Sequence, residues 1–341
     1  MDLLKYDDVL TYLERKNRPK HLLLGNGFSM AYESSIFSYN ALSKFITEQD
    51  DSELKELFDL VKTKNFEIIM QQLDFVREVI QKWGHDKALL TRVETAQANL
   101  KVKLLEAVKE MHPEHVFTIP EDKSSTCAQF LNRYLETGGN IFTTNYDLLL
   151  YWVLMRGKLS GRDGFGRDVE DHDGFVDESE LEYSELRWGK HKDAQNIHYL
   201  HGALPLFDTG IDIVKEEYDG SYLLEKIKQR IEKQEYPIFV TAGTGNEKLN
   251  HIKHNPYLAF CYDKLCSIGG SLISFGFQFG DMDTHIIEAI NIAATQEMSK
   301  RLWSIYIGVY SDADIRHMEK IEKHFKCKVS LFDVKTAHVW R

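Results

Sequence analysis

The sequence predicts an α/β fold with a mainly parallel sheet that is covered by helices on both faces. Short apolar runs alternate with amphipathic helical stretches over most of the chain, which is the rhythm of βαβ units. The first apolar run ends in a glycine turn, as at a strand that leads directly into a helix. With 341 residues, of which 43% are apolar, the chain can bury a sizeable core. Together these observations favour a Rossmann-like arrangement.

The first strand candidate runs from His21 to Leu24, and the turn GNGFS at 25–29 follows it. Residues 31–115 then show helical periodicity without strand candidates, so we expect a helical insertion after the first strand. The segment KSSTCAQFLNRYLETGG reads as a helix that is closed by a glycine pair, and Asn140 to Thr144 reads as the next strand.

Strands and helices alternate in the second half of the chain. The strand candidates are Ile197 to Leu200, Ile238 to Thr241, Leu272 to Phe275, Ile305 to Val309 and Val329 to Phe332. The helix candidates are Ser221 to Lys233, Pro256 to Cys266, Thr284 to Ala294 and Ala313 to Phe325. The Gly- and Asp-rich stretch 157–177 predicts a flexible acidic loop, in the manner of an active-site flap. We therefore expect one α/β domain over residues 1–341.

Composition excludes several classes of function. The chain has 42 Lys and Arg against 53 Asp and Glu, and the net charge of −11 argues against a broad nucleic-acid or anionic-membrane surface. The most apolar stretch, Leu148 to Met155, is too short to cross a bilayer, and MDLLKYDDVL contains no stretch typical of a signal peptide. The four cysteines form no Cys-x-x-Cys pair, which suits reduced thiols. We expect a soluble, cytoplasmic protein.

Unusual polar and glycine residues follow several strand candidates at their carboxyl ends. The glycine turn at 25–29 follows the first strand, NYD at 145–147 the second and HG at 201–202 the third, while GFQFGD at 276–281 follows a later one. The carboxyl ends of parallel strands meet at one edge of a sheet, where loops bind ligands. We therefore expect the four clusters to lie around one crevice.

Each cluster also has a purely structural reading. The turn departs from the dinucleotide pattern Gly-x-Gly-x-x-Gly because Met30 occupies the third glycine position, and an ordinary strand-to-helix turn would look the same. Asn145 and Asp147 are residue types that cap helices. His201, at the end of a strand, could be a hydrogen-bonded structural group. The residues alone leave both readings open.

Two further histidine pairs have spacings that a metal could use. His112 with His115, and His251 with His254, lack an obvious carboxylate partner in the sequence. We expect both pairs to be solvated surface groups, and we expect no bound metal.

The four clusters, in this order, resemble the sirtuin-like (Sir-two) family of NAD-consuming proteins. The motifs that carry the resemblance are LLLGNGFS, IFTTNYD, HYLHG and SFGFQFGDMD. The closer likeness is to the prokaryotic branch that is associated with antiphage defence. It covers Lys20 to Ala293 and leaves the helical insertion without a matching motif.

Carried over residue by residue, the resemblance implies an NAD site. It assigns Asn145 to the nicotinamide ribose and the attacking group, His201 to the ribose hydroxyls as general base, and Asp147 to the same catalytic signature. Gly276 and Asp281 fall in a loop that resembles the adenosine-ribose site. The other implied NAD-binding residues lie in the first two motifs: Gly25, Asn26, Gly27, Phe28, Ser29 and Thr144. Asn26 stands where the family more often has Ala.

The spacing of the cysteines distinguishes between two activities of the family that this sequence resembles. Its protein deacylases carry a zinc module with paired Cys-x-x-Cys motifs, and that spacing is absent from this sequence. We therefore expect a hydrolase, an NAD glycohydrolase (NADase) that releases nicotinamide and ADP-ribose and depletes NAD in antiviral defence. The alternatives are a sensor module that binds NAD or ADP-ribose without turnover, and an NAD-dependent protein deacylase.

The resemblance also implies that the resting protein is restrained, because a free NADase is toxic. We expect a homo-oligomer. A partner such as a defence ATPase, docked on the helical insertion, is the second expected means of restraint.

Overall fold

The computed structural model describes residues 3–37, 52–61, 66–84, 86–113, 115–167, 185–189, 191–218, 222–233, 235–240, 243–298 and 300–341. In these residues twelve strands alternate with thirteen α-helices, which confirms the predicted α/β class. None of the described helices combines the length and the apolar character that a membrane span requires.

The strands are β1 (Leu4–Lys5), β2 (Lys20–Leu24), β3 (Ile141–Thr143), β4 (Phe165–Gly166), β5 (Leu186–Trp188), β6 (Ile197–Tyr199), β7 (Gly202–Asp208), β8 (Ile213–Lys215), β9 (Pro237–Phe239), β10 (Gly270–Phe275), β11 (Leu302–Val309) and β12 (Lys328–Asp333). The helices are α1 (Tyr6–Arg15), α2 (Asn26–Tyr32), α3 (Ser34–Phe37), α4 (Ser52–Val61), α5 (Phe66–Val79), α6 (Lys87–Met111), α7 (Glu121–Leu135), α8 (Leu149–Arg156), α9 (Leu223–Glu232), α10 (Gly245–His254), α11 (Pro256–Cys266), α12 (Thr284–Ala294) and α13 (Asp312–Ile321).

The main sheet has seven strands in the order β1-β12-β11-β10-β2-β3-β6, and every neighbouring pair is parallel. Without the edge strand β1, this order runs third, second, first, fourth, fifth, sixth from the β6 edge, which is the Rossmann order. The predicted Rossmann-like parallel sheet is therefore confirmed. The chain winds outward from β2 to β6 and then returns to the other side of β2 at β10, so the ligand-binding switch point lies between β2 and β10.

A second sheet was not predicted. It is antiparallel, with five strands in the order β4-β5-β8-β7-β9. Of the apolar run Ile238 to Thr241, expected in the parallel sheet, Ile238 and Phe239 belong instead to β9, which pairs with β7, and Thr241 lies outside the described residues. The chain turns from β6 into β7 at Gly202, where a φ of +82° is one that glycine adopts without strain. A three-residue strand has no periodicity from which its partner could be read.

The predicted acidic loop at 157–177 lies partly outside the described residues. Of its described part, Phe165 and Gly166 form β4 and pair with β5 at the edge of the second sheet. The described part of the loop is therefore tied to that sheet by the β4–β5 pairing and by the ion pair between Asp163 and Lys215 of β8. Residues 168–184 are outside the described part of the chain.

Helices α3 to α6 follow the first strand of the Rossmann unit, as predicted for the helical insertion, of which residues 38–51, 62–65, 85 and 114 lie outside the described chain. The insertion has a core of its own. Its buried members are Leu54, Phe58, Ile69, Met70, Leu73, Ile80, Val93, Ala96 and Leu100. Tyr146, in the second predicted cluster, packs against this core, so the insertion and the carboxyl edge of the sheet are in contact.

The turns after β2 and β10 lie directly against each other. The N–H of Gly25 donates to the carbonyl of Phe275 at 3.0 Å, and the N–H of Gly27 donates to the carbonyl of Gly276 at 2.9 Å. A Cβ atom on Gly27 would lie 2.6 Å from the Cα of Gly276, which itself has a φ of +71°. Two backbones in contact leave no room for side chains, and this explains the glycines at both turns.

We predict that Gly27→Ala lowers the free energy of unfolding. Alanine is the better helix former by about 1 kcal/mol, but its Cβ would press on the backbone of Gly276. Overpacking of this kind costs about 1–3 kcal/mol, so the net change is a loss. The measurement is the urea unfolding midpoint, with Gly280→Ala as the control.

Gly280 has an ordinary φ of −68°, and nothing lies within 4 Å of the position that its Cβ would take. Gly280→Ala should therefore change the free energy of unfolding by no more than about 0.5 kcal/mol. Equal stability of the two variants would contradict the backbone contact as the reason for Gly27.

Candidate functional site

The carboxyl edge of the main sheet carries all four clusters that the sequence singled out. Leu24 is in register with Phe275 on one side and with Thr143 on the other, and Thr143 is in register with Tyr199. These strands are about 4.8 Å apart. Each cluster begins within two residues of this level of the sheet. The four therefore start side by side along one edge.

A buried hydrogen-bonded chain joins the first two clusters. The hydroxyl of Ser29, on α2, donates to Oδ2 of Asp147 at 2.5 Å. The side-chain amide of Asn145 donates to the Ser29 hydroxyl oxygen at 2.9 Å. All three side chains are buried. Ser29 thus holds the two polar residues of the second cluster against the glycine turn.

This chain has a fixed direction. Ser29 donates its single hydroxyl proton to the Asp147 carboxyl group, so the Ser29 oxygen must accept from Asn145. The NH₂ group of Asn145 therefore faces Ser29, and its amide oxygen faces away. That oxygen has no hydrogen bond within the described residues, so it is available to accept one from a ligand.

Asp147 also has the structural role that its residue type suggests. Its Oδ1 atom accepts the N–H of Leu149 at 2.9 Å, in the first turn of α8. One carboxylate oxygen therefore supports the helix and the other supports Ser29. The capping interpretation and the site interpretation are both compatible with this geometry.

His112 is not a solvated residue, and the expectation for it was wrong. Its side chain is buried, its Nε2 atom accepts the N–H of Leu148 at 2.8 Å, and its Nδ1–H faces the carbonyl of Pro113 at 3.2 Å. Burial lowers the pKa of His112, and the charge of Asp147 opposes this shift. The imidazole supports the loop that carries Asp147, whereas His251 and His254 are exposed as expected.

His201, the third cluster, forms a pair with His285 from the first turn of α12. Their Nε2 atoms are 2.8 Å apart, and the rings stack with centroids 5.1 Å apart. Burial lowers the pKa of His201 well below its usual value, and the neighbouring His285 and the charge of Lys248 lower it further. Burial and Lys248 lower the pKa of His285 to about 3. Both imidazoles are therefore neutral at pH 7.

A buried ion pair lies beside the two histidines. Lys248, on α10, is 1% exposed, and its ammonium group is 3.1 Å from Oδ1 of Asp283. His201, Asp283 and His285 are the one group of three or more potential metal ligands in the described chain. The pair of imidazole nitrogens is closer than the ~3.3 Å that two nitrogen ligands of a tetrahedral zinc ion would have. The two imidazoles are therefore hydrogen-bonded to each other, next to a lysine whose charge is balanced by Asp283.

The remaining predicted site residues fall into two groups. Gly25, Gly27 and Gly276 lie at the contact between the two turns, where the N–H groups of both glycines of the first turn donate within the protein. The Thr144 N–H donates to Leu24, at the same edge.

The other predicted contacts with NAD differ in position. The Phe28 ring is buried against Trp340, whose indole N–H donates to the Phe28 carbonyl at 2.9 Å, so this side chain belongs to the core. Asp281 is exposed in a short 3-10 helix, and no contact of its carboxylate joins it to the other site residues. Asn26 begins α2 directly beside the glycine contact.

Sequence reasoning missed His112, Lys248, Asp283 as an ion-pair partner, His285 and Trp340. The one local signal was the sequence DMDTH, in which Asp283 and His285 follow a strand end. Asp283 is the N-cap residue of α12, but its side chain makes no capping hydrogen bond. The others lie far along the chain from the groups that they contact.

The cysteines form no metal site in the described chain, which includes all four of them. Each is a free thiol, with Cys127 and Cys261 fully buried. Burial raises the pKa of Cys261 and of Cys266 to about 12. They are therefore protonated thiols in this arrangement.

Comparison with protein families identifies the chain as a member of the family described as Domain of unknown function (DUF4917). The family profile matches residues 22–340, which includes the whole carboxyl edge and the helical insertion. No curated protein matches the sequence.

The buried histidines predict that acid destabilises the fold. Burial lowers the pKa of His21 to about 4 and those of His198 and His285 to about 3. The unfolded chain, with histidine pKa values near 6.5, takes up protons that the folded chain does not bind. The free energy of unfolding is therefore highest above pH 6.5. It decreases as the pH falls below 6.5, by up to about 1.4 kcal/mol per pH unit for each such histidine.

Urea unfolding between pH 7.5 and 5 measures this slope, because carboxylates mostly titrate at lower pH. His198→Gln should reduce the slope by about one proton, or about 1.4 kcal/mol per pH unit. The control His251→Gln, at an exposed position, should leave it unchanged. Equal slopes in the two variants would contradict the assignment.

Proposed function

We propose that this member of the DUF4917 family is an NAD glycohydrolase, which cleaves the bond between nicotinamide and ribose to give nicotinamide and ADP-ribose. One observation carries the proposal: Ser29 and Asp147 orient the Asn145 amide at the switch-point edge, beside a neutral His201 at the end of the next strand. The resemblance to the sirtuin-like (Sir-two) family supports the same assignment through the same residues.

The reaction needs what these residues offer. The C1′–N bond of NAD breaks with its electron pair passing to the pyridinium nitrogen, so nicotinamide leaves as a neutral molecule without a strong general acid. Water then adds to C1′ and loses one proton. The protein must therefore orient the ribose, support an oxocarbenium-like transition state and place the water. None of these tasks requires a metal ion.

Each residue has one task in this scheme. The outward amide oxygen of Asn145 accepts a hydrogen bond from a ribose hydroxyl or from the attacking water. His201, neutral at pH 7, accepts the proton that the water or the hydroxyl releases. The glycine turns hold the switch-point edge together, because their Cβ-free faces pack against each other and so fix the start of α2, which carries Ser29.

Hydrolysis is favoured over protein deacylation by the cysteines, which build no zinc module in the described chain. By resemblance, the biological role is NAD depletion in antiphage defence. The same resemblance carries the proposals of a homo-oligomer and of a partner ATPase that keep the resting protein restrained.

The proposal predicts that the full-length protein, incubated with NAD, releases nicotinamide and ADP-ribose in equal amounts, as separated by chromatography. Asn145→Ala should lower the rate by about 100-fold or more, since an oriented polar group in a transition state contributes about 10²–10³-fold. His201→Ala should lower it by about 10²–10⁴-fold, the usual contribution of a general base.

His251→Ala is the matched control, because this histidine is exposed on α10 and has no place in the scheme. Its rate should equal that of the wild type, and circular dichroism should show that all variants are folded. The proposal fails if the wild-type protein makes no nicotinamide, or if both site variants keep the wild-type rate. Binding of NAD by calorimetry without any product would instead identify a sensor module.

A further inference from the structure

The histidine pair at the site has a chemical requirement that His201 alone does not meet. Its two Nε2 atoms are 2.8 Å apart, so one must carry a proton and the other must accept it. Both rings are neutral, so each carries only one proton, on either Nδ1 or Nε2. The state of one ring therefore fixes the state of the other.

Only one of the two arrangements makes His201 a base toward a ligand. If His285 donates from Nε2, His201 accepts at Nε2, carries its own proton on Nδ1 and has no free lone pair. If His201 donates from Nε2, its Nδ1 keeps a free lone pair. Nδ1 is then the nitrogen that takes a proton, since Nε2 is occupied by His285.

His285 has an uncommon environment for a residue with a purely structural role. It is 1% exposed, and its Nδ1 atom has no hydrogen-bond partner in the described chain. When His285 accepts at Nε2, its own proton lies on this unpaired Nδ1, and a buried N–H group without a partner is rare and often belongs to a functional group. The one hydrogen bond of the His285 side chain in the described chain is with His201. Any role of the His285 imidazole in hydrogen bonding therefore acts on His201.

We propose that His285 is a positioning residue, which accepts the Nε2–H of His201 and so holds the basic lone pair of His201 on Nδ1. When Nδ1 takes the proton released by water or by a ribose hydroxyl, His201 becomes an imidazolium. Its Nε2–H then donates to the neutral His285, which spreads the positive charge over two rings. This inference rests on the proposed function for its catalytic part, and on the geometry of the pair for its tautomeric part.

The neighbouring charges suit this role. Lys248 and Asp283 form an ion pair beside the histidines, so the site has no net charge from these two groups. Burial lowers the pKa values of both rings, the charge of Lys248 lowers them further, and both rings are therefore neutral in the resting protein. His201 therefore gains a second proton only during the proposed reaction.

The first test reads the tautomer and needs no activity. Full-length protein with ¹⁵N-labelled histidine is studied by NMR at pH 7, and His201 is assigned from the signals that disappear in His201→Asn. We expect His201 to be protonated at Nε2 in the wild type and in His285→Gln, whose amide oxygen can still accept. In His285→Phe, which has no acceptor, we expect the proton to redistribute to Nδ1.

The second test is kinetic. His285→Phe should lower kcat for nicotinamide release by about 10–100-fold, the usual effect of removing a partner that orients an active group. KM should not change, because His285 does not touch the substrate in this scheme. His285→Gln should restore most of kcat, whereas a residue needed only for packing would not distinguish Gln from Phe in this way.

The outcomes separate the two proposals. If the wild-type protein releases no nicotinamide, the proposed function fails, and the NMR result alone decides the role of His285. A proton on Nδ1 of His201 in the wild type, or an unchanged tautomer in a folded His285→Phe, overturns the positioning role. Equal kcat values for the Phe and Gln variants overturn it as well.

Discussion

The contact between the turns after β2 and β10 is the constraint on which the rest of the site depends. It joins the first and fourth strands of the Rossmann order by two backbone hydrogen bonds, at the position where the chain reverses its direction of winding. From one side of this contact α2 carries Ser29 to the second cluster. From the other side the chain runs through Asp283 to His285. A displaced turn would therefore move both the Asn145 amide and His285, the hydrogen-bond partner of His201.

The hydrogen-bonded chain at this site has one direction, from the Asp147 carboxyl group to the amide oxygen of Asn145. Asp147 accepts from Ser29, Ser29 accepts from Asn145, and the amide oxygen of Asn145 is left for a ligand. The loop that holds Asp147 is fixed by His112, from the end of the helical insertion, and by Tyr146, whose hydroxyl donates to Val240 at 2.8 Å. The insertion contacts this loop through His112 and through the packing of Tyr146 on the insertion core, which gives the extra helices a structural connection to the site.

The parts of the molecule that the sequence could predict are those encoded locally. The helices at Pro256–Cys266 and Thr284–Ala294 end where the pattern indicated, because caps and periodicity are short-range signals. The strand-end clusters were predictable since parallel strands share one edge. The antiparallel sheet was not, because a three-residue strand has the same pattern in either sheet. His112 and Lys248 are buried, although residues of these types usually lie at the surface. Their burial depends on partners that are distant along the chain, and the local sequence does not indicate those partners.

The low pKa of His201 decides which step of the proposed chemistry it can assist. A weakly basic imidazole does not deprotonate bulk water, whose pKa is far higher, and so it cannot start the reaction by making hydroxide. Once nicotinamide has left, however, water that bonds to the cationic C1′ becomes strongly acidic, and a weak base then suffices. Bond breaking must therefore precede proton transfer, and the main demand on the protein is to orient the ribose before the bond breaks. In the proposed reaction that task falls to Asn145, whose amide is fixed by Ser29 and Asp147.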